Sequence, residues 1–246
     1  MNKFFAKKLK DTSFSFYEND VNHIINVLRL KIGDELIVIF DSKKYICKIT
    51  SYNPLLAKIV EEIPNNSDLV GYKIGLFQAI IKPKNFELVL TKSTELGVTD
   101  IYPVNFERSQ ENYREKLDRY NNIVISACKQ SGRTLIPTIS ETISFSSLEK
   151  ILSAYEIILV PNEHDSSKKN DLYSIILDNK IHLKKSIAII IGPEGGFTND
   201  ELEKLSCFNN LFFVGLTRNI LRSETATFYT LSNIVSYLIY KRNRNE

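Results

Sequence analysis

From residue 73 onward, short apolar runs alternate with segments whose apolar residues recur every three or four positions. "KIGLFQAII", "DIYPVNF", "EIILVPN", "SIAIIIG" and "LFFVGL" predict buried strands. Between and after them, "KNFELVLTKSTELG" predicts a helix stopped at Gly97. A long helix runs through "YREKLDRYNNIVISACKQSG", and further helices through "SSLEKILSAY", "TNDELEKLSC" and the closing "SETATFYTLSNIVSYLIYKR". Strand–helix alternation of this kind predicts an α/β domain on a parallel sheet.

The first seventy residues carry a different rhythm. "DELIVIFD", "KKYICKITS" and "LLAKIVEEI" are short and rich in β-branched residues, with turns at Gly33-Asp34 and Tyr52-Asn53-Pro54. In "ENDVNHIINVLRL", Val21, Ile24, Ile25 and Leu28 recur at helical spacing, with Asn19 or Asp20 as cap. Strands so closely spaced, with one helix, predict a small β-barrel. The polar "EEIPNNSDLVGYK", with Pro64 and Gly71, reads as the linker. The expected domains are therefore 1–72 and 73–246.

Composition narrows the picture. A hydrophobic fraction of 43% and a charged fraction of 25% suit a packed core. No apolar run is long enough to span a bilayer, so no membrane partner is expected. The start, "MNKFFAKKLKDTS", is basic without an apolar signal core, which makes the cytoplasm the expected location. Cys47, Cys128 and Cys207 form no CxxC pair, and His23, His164 and His182 show no ligand spacing. Buried free thiols and no metal are expected. A net charge of +3 does not by itself indicate nucleic acid, because clustering decides that. The basic end, "YKRNRNE", fits a solvated terminus as well as an RNA contact.

Candidate chemistry gathers at three segments, two of them strand ends, where open α/β sheets bind ligands. "GPEGGF", Gly192 to Phe197, has three glycines in five positions, which let backbone approach a ligand or adopt positive φ. Thr198 or Asn199 caps the next helix, with Glu201 completing the cap. No Lys-Ser/Thr follows and GxGxxG is absent, so neither phosphate-loop pattern applies. Glu194 in the turn also disfavours a phosphate. "VGLTRNILRSETA", Val214 to Ala226, offers Arg218 and Arg222, with Ser223 as N-cap and Glu224 suited to the positive helix end. A capped helix explains the Ser-Glu pair but not the two arginines around "NIL". "ACKQSGR", Ala127 to Arg133, ends a helix at Gly132.

Together "IGPEGGF" and "LTRNILRSETA", preceded by "KSTELGV", "ERSQ" and "ACKQSGR", closely resemble the RsmE family, the 16S ribosomal RNA uridine-N3 methyltransferases of the SPOUT superfamily. The early "VNHIINVLRLKIGDELIVIFD" is similar to that family's amino-terminal barrel. One departure stands out. The family has glycine, one residue, then Arg-Ile-Leu-Arg, whereas Gly215-Leu216-Thr217-Arg218-Asn219-Ile220-Leu221-Arg222 is longer. The resemblance implies an α/β, trefoil-knotted SPOUT methyltransferase domain behind an N-terminal PUA-like β-barrel that binds RNA. The knot would lie near residues 190 to 226, against the general rarity of knots. The resemblance also implies S-adenosyl-L-methionine as cofactor, a homodimer, and 16S rRNA or the 30S subunit as partner. The implied cofactor site runs over Ile191, Gly192, Pro193, Glu194, Gly195 and Gly196, then Val214, Gly215, Leu216, Ile220, Leu221, Arg222, Thr225 and Ala226.

For that reaction Arg222 is the candidate to stabilise charge on the uracil oxygens, and Glu194, or a water it relays, the candidate base. RNA-binding candidates are Arg29, Lys82, Lys84, Arg108, Lys129, Gln130 and Arg133. Tyr113 and Phe86 are stacking candidates, with core packing favoured for Phe86. Two other readings remain open: a catalytically silent rRNA-binding module, and a related SPOUT enzyme acting on transfer RNA or on a ribose 2′-oxygen.

Overall fold

The β-branched runs of the first sixty residues close on themselves. In this computed structural model, which describes residues 1–64, 69, 71–110, 116–162, 170–179 and 181–244, five strands form a closed barrel. They are β1 (Lys3–Lys10), β2 (Ser13–Phe16), β3 (Glu35–Phe40), β4 (Lys43–Tyr52) and β5 (Leu55–Ile63), in the order β1-β2-β5-β4-β3. The parallel pairing of β1 with β3, Phe4 opposite Val38, closes the ring. Phe4, Phe14, Leu36, Val38, Cys47 and Ile49 fill its core.

Helix α1 (Glu18–Asn22) runs into a π-helical turn (His23–Val27). It places Ile24 in the barrel core, with Val21, Ile25 and Leu28 packed against it, as their spacing predicts. Its cap is Tyr17 rather than Asn19 or Asp20, and no side chain caps it. Asp20 instead is buried and receives Lys129 Nζ at 2.5 Å. That pair belongs to one compact unit, Met1–Ser67 with Cys128–Leu135; the second unit is Asp68–Ala127 with Ile136–Glu246. A single cut near residue 72 thus leaves out the return of Cys128–Leu135. β1 and β2 were not placed from sequence either: Phe4, Phe5 and Ala6 are all buried, and a register shift after Ala6 breaks the alternation.

The second unit is built on parallel strands β6 (Lys73–Ala79), β7 (Asp100–Asn105), β8 (Thr138–Ile139), β10 (Ile157–Pro161), β11 (Ser186–Ile191) and β12 (Leu211–Val214), ordered β12-β10-β11-β6-β7-β8. A short β9 (Ile143–Ser144) also pairs with β7. The central strands are buried on both faces, which is why they read as continuous apolar runs. Helices α2 (Pro83–Glu95), α4 (Leu148–Leu152), α6 (Asn199–Ser206) and α7 (Ser223–Asn243) follow the expected segments, and the described part of the long helix is α3 (Leu117–Ser131). Gly97 ends α2 at φ +104°, a conformation that favours glycine. Helix α5 (Leu172–Asp178), capped by Asp171, was not anticipated. Ser174 and backbone N–H donors hold the Asp171 carboxyl below its ordinary pKa. Among the described residues no helix is long and apolar enough to cross a membrane, and no group of His, Cys, Asp or Glu could hold a metal ion.

Candidate active site

The segments after β10, β11 and β12, with the start of α2 and the loop after β7, surround a cavity of about 690 Å³. All lie at carboxyl ends of parallel strands, where the sheet leaves backbone groups unpaired.

The first wall is the turn between β11 and α6. Pro193 has no N–H to continue the ladder. Gly196 adopts φ +71° and donates its N–H to the Pro193 carbonyl at 3.0 Å. A capping box then starts α6: Thr198 Oγ1 accepts from Glu201 N at 3.3 Å, and Glu201 Oε2 accepts from Thr198 N at 2.9 Å. The other Glu201 oxygen accepts from Glu107 N at 2.8 Å. Arg108 next to it donates to the Gly195 carbonyl at 2.9 Å, and the Phe106 ring meets Phe197 edge-on at 5.2 Å. The loop after β7 therefore buttresses the glycine turn. At Gly192 a Cβ would sit 3.0 Å from the Phe197 ring, so this position has no room for a side chain without movement.

The second wall is the loop from β12 into α7. Arg222, not Ser223, is the N-cap of α7, and no side chain caps it. Ser223 is the first helical residue, and its hydroxyl donates across the cavity floor to the Gly192 carbonyl at 2.8 Å. Sequence logic placed Ser223 at the cap because serine there is common. Here the cap falls one residue earlier, and the serine hydroxyl, inside the helix, donates to a tertiary acceptor. Asn85 donates to Glu224 Oε1 at 3.3 Å, while Glu224 Oε2 is buried without a partner. Among the described residues no carboxylate pairs with Arg218 or Arg222, and Ile220 is 80% exposed.

Of the residues expected to hold a cofactor, Ile191, Gly192, Pro193, Glu194, Gly195, Gly196, Leu216, Ile220, Leu221, Arg222 and Ala226 line the cavity. Val214, Gly215 and Thr225 do not; Val214 and Gly215 are buried, and Gly215 N–H donates to the Asn170 carbonyl. Asn85, Asn162, Asn199, Leu202 and Ser223 also line it; Asn199 and Ser223 stand out in sequence only as helix caps, and Asn85, Asn162 and Leu202 not at all. The one available signal was a polar residue ending an apolar run, as Asn162 does in "EIILVPN".

The residues assigned to RNA separate. Lys82 and Arg108 line the cavity, Lys82 at 3.9 Å from Glu194 with both partners exposed, a pair worth under about 1 kcal/mol. Lys84 is exposed on α2. Arg29, Lys129, Gln130 and Arg133 belong to the barrel unit. There Arg29 and Gln130 are exposed, Lys129 is committed to Asp20, and burial lowers the Arg133 pKa. "ACKQSGR" contributes nothing to the cavity lining. Phe86 is fully buried; Tyr113 and His164 lie outside the described residues. Cys47 and Cys128 are buried, but Cys207 is exposed because α6 ends there at the surface.

This cavity suits an adenosyl sulfonium. Ile191, Leu216 and Leu221 offer apolar surface, the glycine turn offers approachable backbone, Glu194 suits a positive charge, and the orphaned Glu224 oxygen is a buried acceptor beside it.

Comparison with known proteins points the same way. The family described as RNA methyltransferase domain matches residues 70–235, and that described as RNA methyltransferase PUA domain matches 16–62. Ribosomal RNA small subunit methyltransferase E of Mesomycoplasma hyopneumoniae is 30% identical, over 96% of this chain and 99% of that protein. The Bacillus subtilis protein of that name is 30% identical over 90% and 89%. Among solved structures, ribosomal RNA small subunit methyltransferase E from Neisseria gonorrhoeae, bound to S-adenosyl methionine, superposes with a TM-score of 0.81 at 28% identity, covering 96% and 98% of the two chains.

Proposed function

The chain belongs to the ribosomal RNA small subunit methyltransferase E family, and from that premise we propose that it methylates N3 of one uridine in the decoding region of 16S ribosomal RNA, in the cytoplasm, during small-subunit maturation. It is a methyltransferase that uses S-adenosylmethionine. The observation that carries the reading is the meeting of the Gly192–Phe197 turn and the Leu216–Arg222 loop around one cavity.

S-adenosylmethionine supplies, when bound, an electrophilic methyl group on a positively charged sulfur. Ile191, Leu216, Leu221 and Ala226 exclude water from the adenosine, while Gly192, Gly195 and Gly196 allow close backbone approach. Uracil N3 is protonated at neutral pH and must lose that proton to become nucleophilic. Glu194, half exposed at the cavity rim, accepts it directly or through water. Arg222, without a carboxylate partner among the described residues, stabilises the charge that develops on the uracil oxygens. Lys82 and Arg218 at the same rim favour the approach of RNA phosphates.

Two copies of the chain act together. The support is the apolar surface left exposed by α5 and α7 and the turn between β11 and α5: Tyr173, Leu177, Leu183, Tyr229 and Tyr240. The trefoil knot belongs to the same reading. Its support is that Gly215 lies alongside the segment before α5, donating to Asn170 and accepting from Leu172.

Calorimetric titration with S-adenosylmethionine, followed by mass mapping of 16S RNA incubated with the protein, tests the reading. A methyl group on a uracil N3 is the expected product. No heat of binding points to a silent binding module, and a ribose 2′-O product or a transfer RNA substrate points to another SPOUT activity. Light scattering gives the oligomeric state.

A further inference from the structure

Apart from Lys73 at its start, strand β6 carries one polar side chain, Gln78, and it is wholly buried. A primary amide has two N–H donors and two acceptor lone pairs. Nε2 donates to the Ala79 carbonyl at 3.2 Å and to Ser223 Oγ at 2.9 Å. Oε1 accepts from Thr227 Oγ1 at 2.6 Å. The single Ser223 hydroxyl proton goes to the Gly192 carbonyl at 2.8 Å, so Ser223 must accept from the amide. The series therefore runs from Thr227 to Gln78, Gln78 to Ser223 and Ser223 to Gly192, with the Ser223 carbonyl, 2.9 Å from Thr227 Oγ1, as a second acceptor for the threonine.

Gly192 and Ser223 stand on facing walls of the cavity, while Gln78 does not line it. The glycine turn and the start of α7 are thus joined through one amide anchored in the sheet. A tilt of the Gly192 peptide would move Pro193, Glu194 and Gly195 with it. Removing the amide would take from Ser223 the donor that orients its hydroxyl and would leave Thr227 only the Ser223 carbonyl, at 2.9 Å, a loss the site would relieve by shifting one wall.

We propose that Gln78 is a positioning residue: through Ser223 it sets the spacing of the two cavity walls and hence the affinity for the cofactor. The proposal rests on the reading that this cavity takes S-adenosylmethionine.

Calorimetric affinity for S-adenosylmethionine, turnover at saturating cofactor, RNA affinity and melting temperature are measured for the wild type, Q78L, S223A, the double variant and T227V. Q78L should weaken the cofactor about tenfold, with saturated turnover and RNA affinity within about threefold of wild type, and S223A should weaken the cofactor by a similar factor. The double variant should be no weaker than the worse single one, because both act through one link. T227V keeps the side-chain shape and should weaken the cofactor about threefold, which holds the test open if Q78L does not fold. Unchanged cofactor affinity in the folded variants, multiplicative losses in the double variant, or parallel falls in turnover and RNA affinity in Q78L would overturn the assignment. A wild-type protein that binds no S-adenosylmethionine overturns the methyltransferase reading instead.

Discussion

The Arg108 guanidinium donates to the Gly195 carbonyl at 2.9 Å, joining positions 87 residues apart. An arginine that sequence placed among the RNA contacts is thus bound to the turn that forms one cavity wall. Its aliphatic stem also lies 3.4 Å from where a Gly195 side chain would begin. R108A should weaken S-adenosylmethionine about fivefold, the worth of one exposed charge-assisted hydrogen bond, while RNA affinity changes little. Calorimetry beside filter binding separates the two. A loss confined to RNA would return Arg108 to its first assignment.

Arg222 acts on charge that exists only as the reaction proceeds. R222A should lower turnover about a hundredfold and leave cofactor affinity within about threefold. Single-turnover kinetics at saturating S-adenosylmethionine give the number; activity within a few-fold of wild type contradicts the role.

Glu194 has little to gain from Lys82 at 3.9 Å in water, so its position calls for another use. E194Q keeps the shape and removes the basic oxygen. Turnover should fall about a hundredfold with cofactor affinity nearly kept, and K82A should leave the chemical step unchanged while weakening RNA. Equal turnover in E194Q would transfer the proton to another acceptor.

How much of this was legible in the sequence depended on whether a signal was local. The second unit's sheet was readable because buried parallel strands leave unbroken apolar runs, and Gly97 and Thr198 mark helix ends by local chemistry. The glycine turn and the Leu221-Arg222 segment were readable by family pattern. Ser223 is not the cap its sequence predicts, and Arg108 and Lys129 have contacts their sequence does not show, for one physical reason: each has a partner far away in sequence, Gly192, Gly195 and Asp20. A polar residue's local surroundings suggest a cap or a surface charge, and only the fold reveals the distant acceptor. β1 escaped notice because three successive buried residues, Phe4 to Ala6, do not alternate.

Lys129 shows what such a distant partner means for stability. Its partner Asp20 is nearly buried, so K129M would strand a carboxylate in apolar surroundings. The loss should be about 2–3 kcal/mol, read as a lowered melting temperature, and the D20N change added to it should recover part. A melting temperature equal to wild type would mean that water already serves Asp20.

The cysteines make a chemical prediction. Burial pushes the Cys47 thiol up to about 12 and Cys128 up to about 11, from an ordinary 9.0. A thiol reagent at pH 8 should label Cys207 alone in the native protein, and all three in denaturant. The sign for stability follows from the raised values. What these thiols contribute is fully present below pH 9.0 and is lost as pH rises toward about 11 to 12. Urea midpoints measured from pH 8 to 11 should therefore decline, and C47A should flatten part of that slope.

The centre of the parallel sheet carries a consequence for biosynthesis. β6 is the first strand of its unit to leave the ribosome, yet it sits between β7 and β11, and Leu76 must wait for Ile189 to be translated before that side is covered. Ile74, Leu76 and Phe77 therefore stay sticky throughout elongation, a demand on chaperones that few local contacts can relieve. No truncated product ending before β11 can possess a donor pocket, so an unfinished chain has no means of modifying the ribosome.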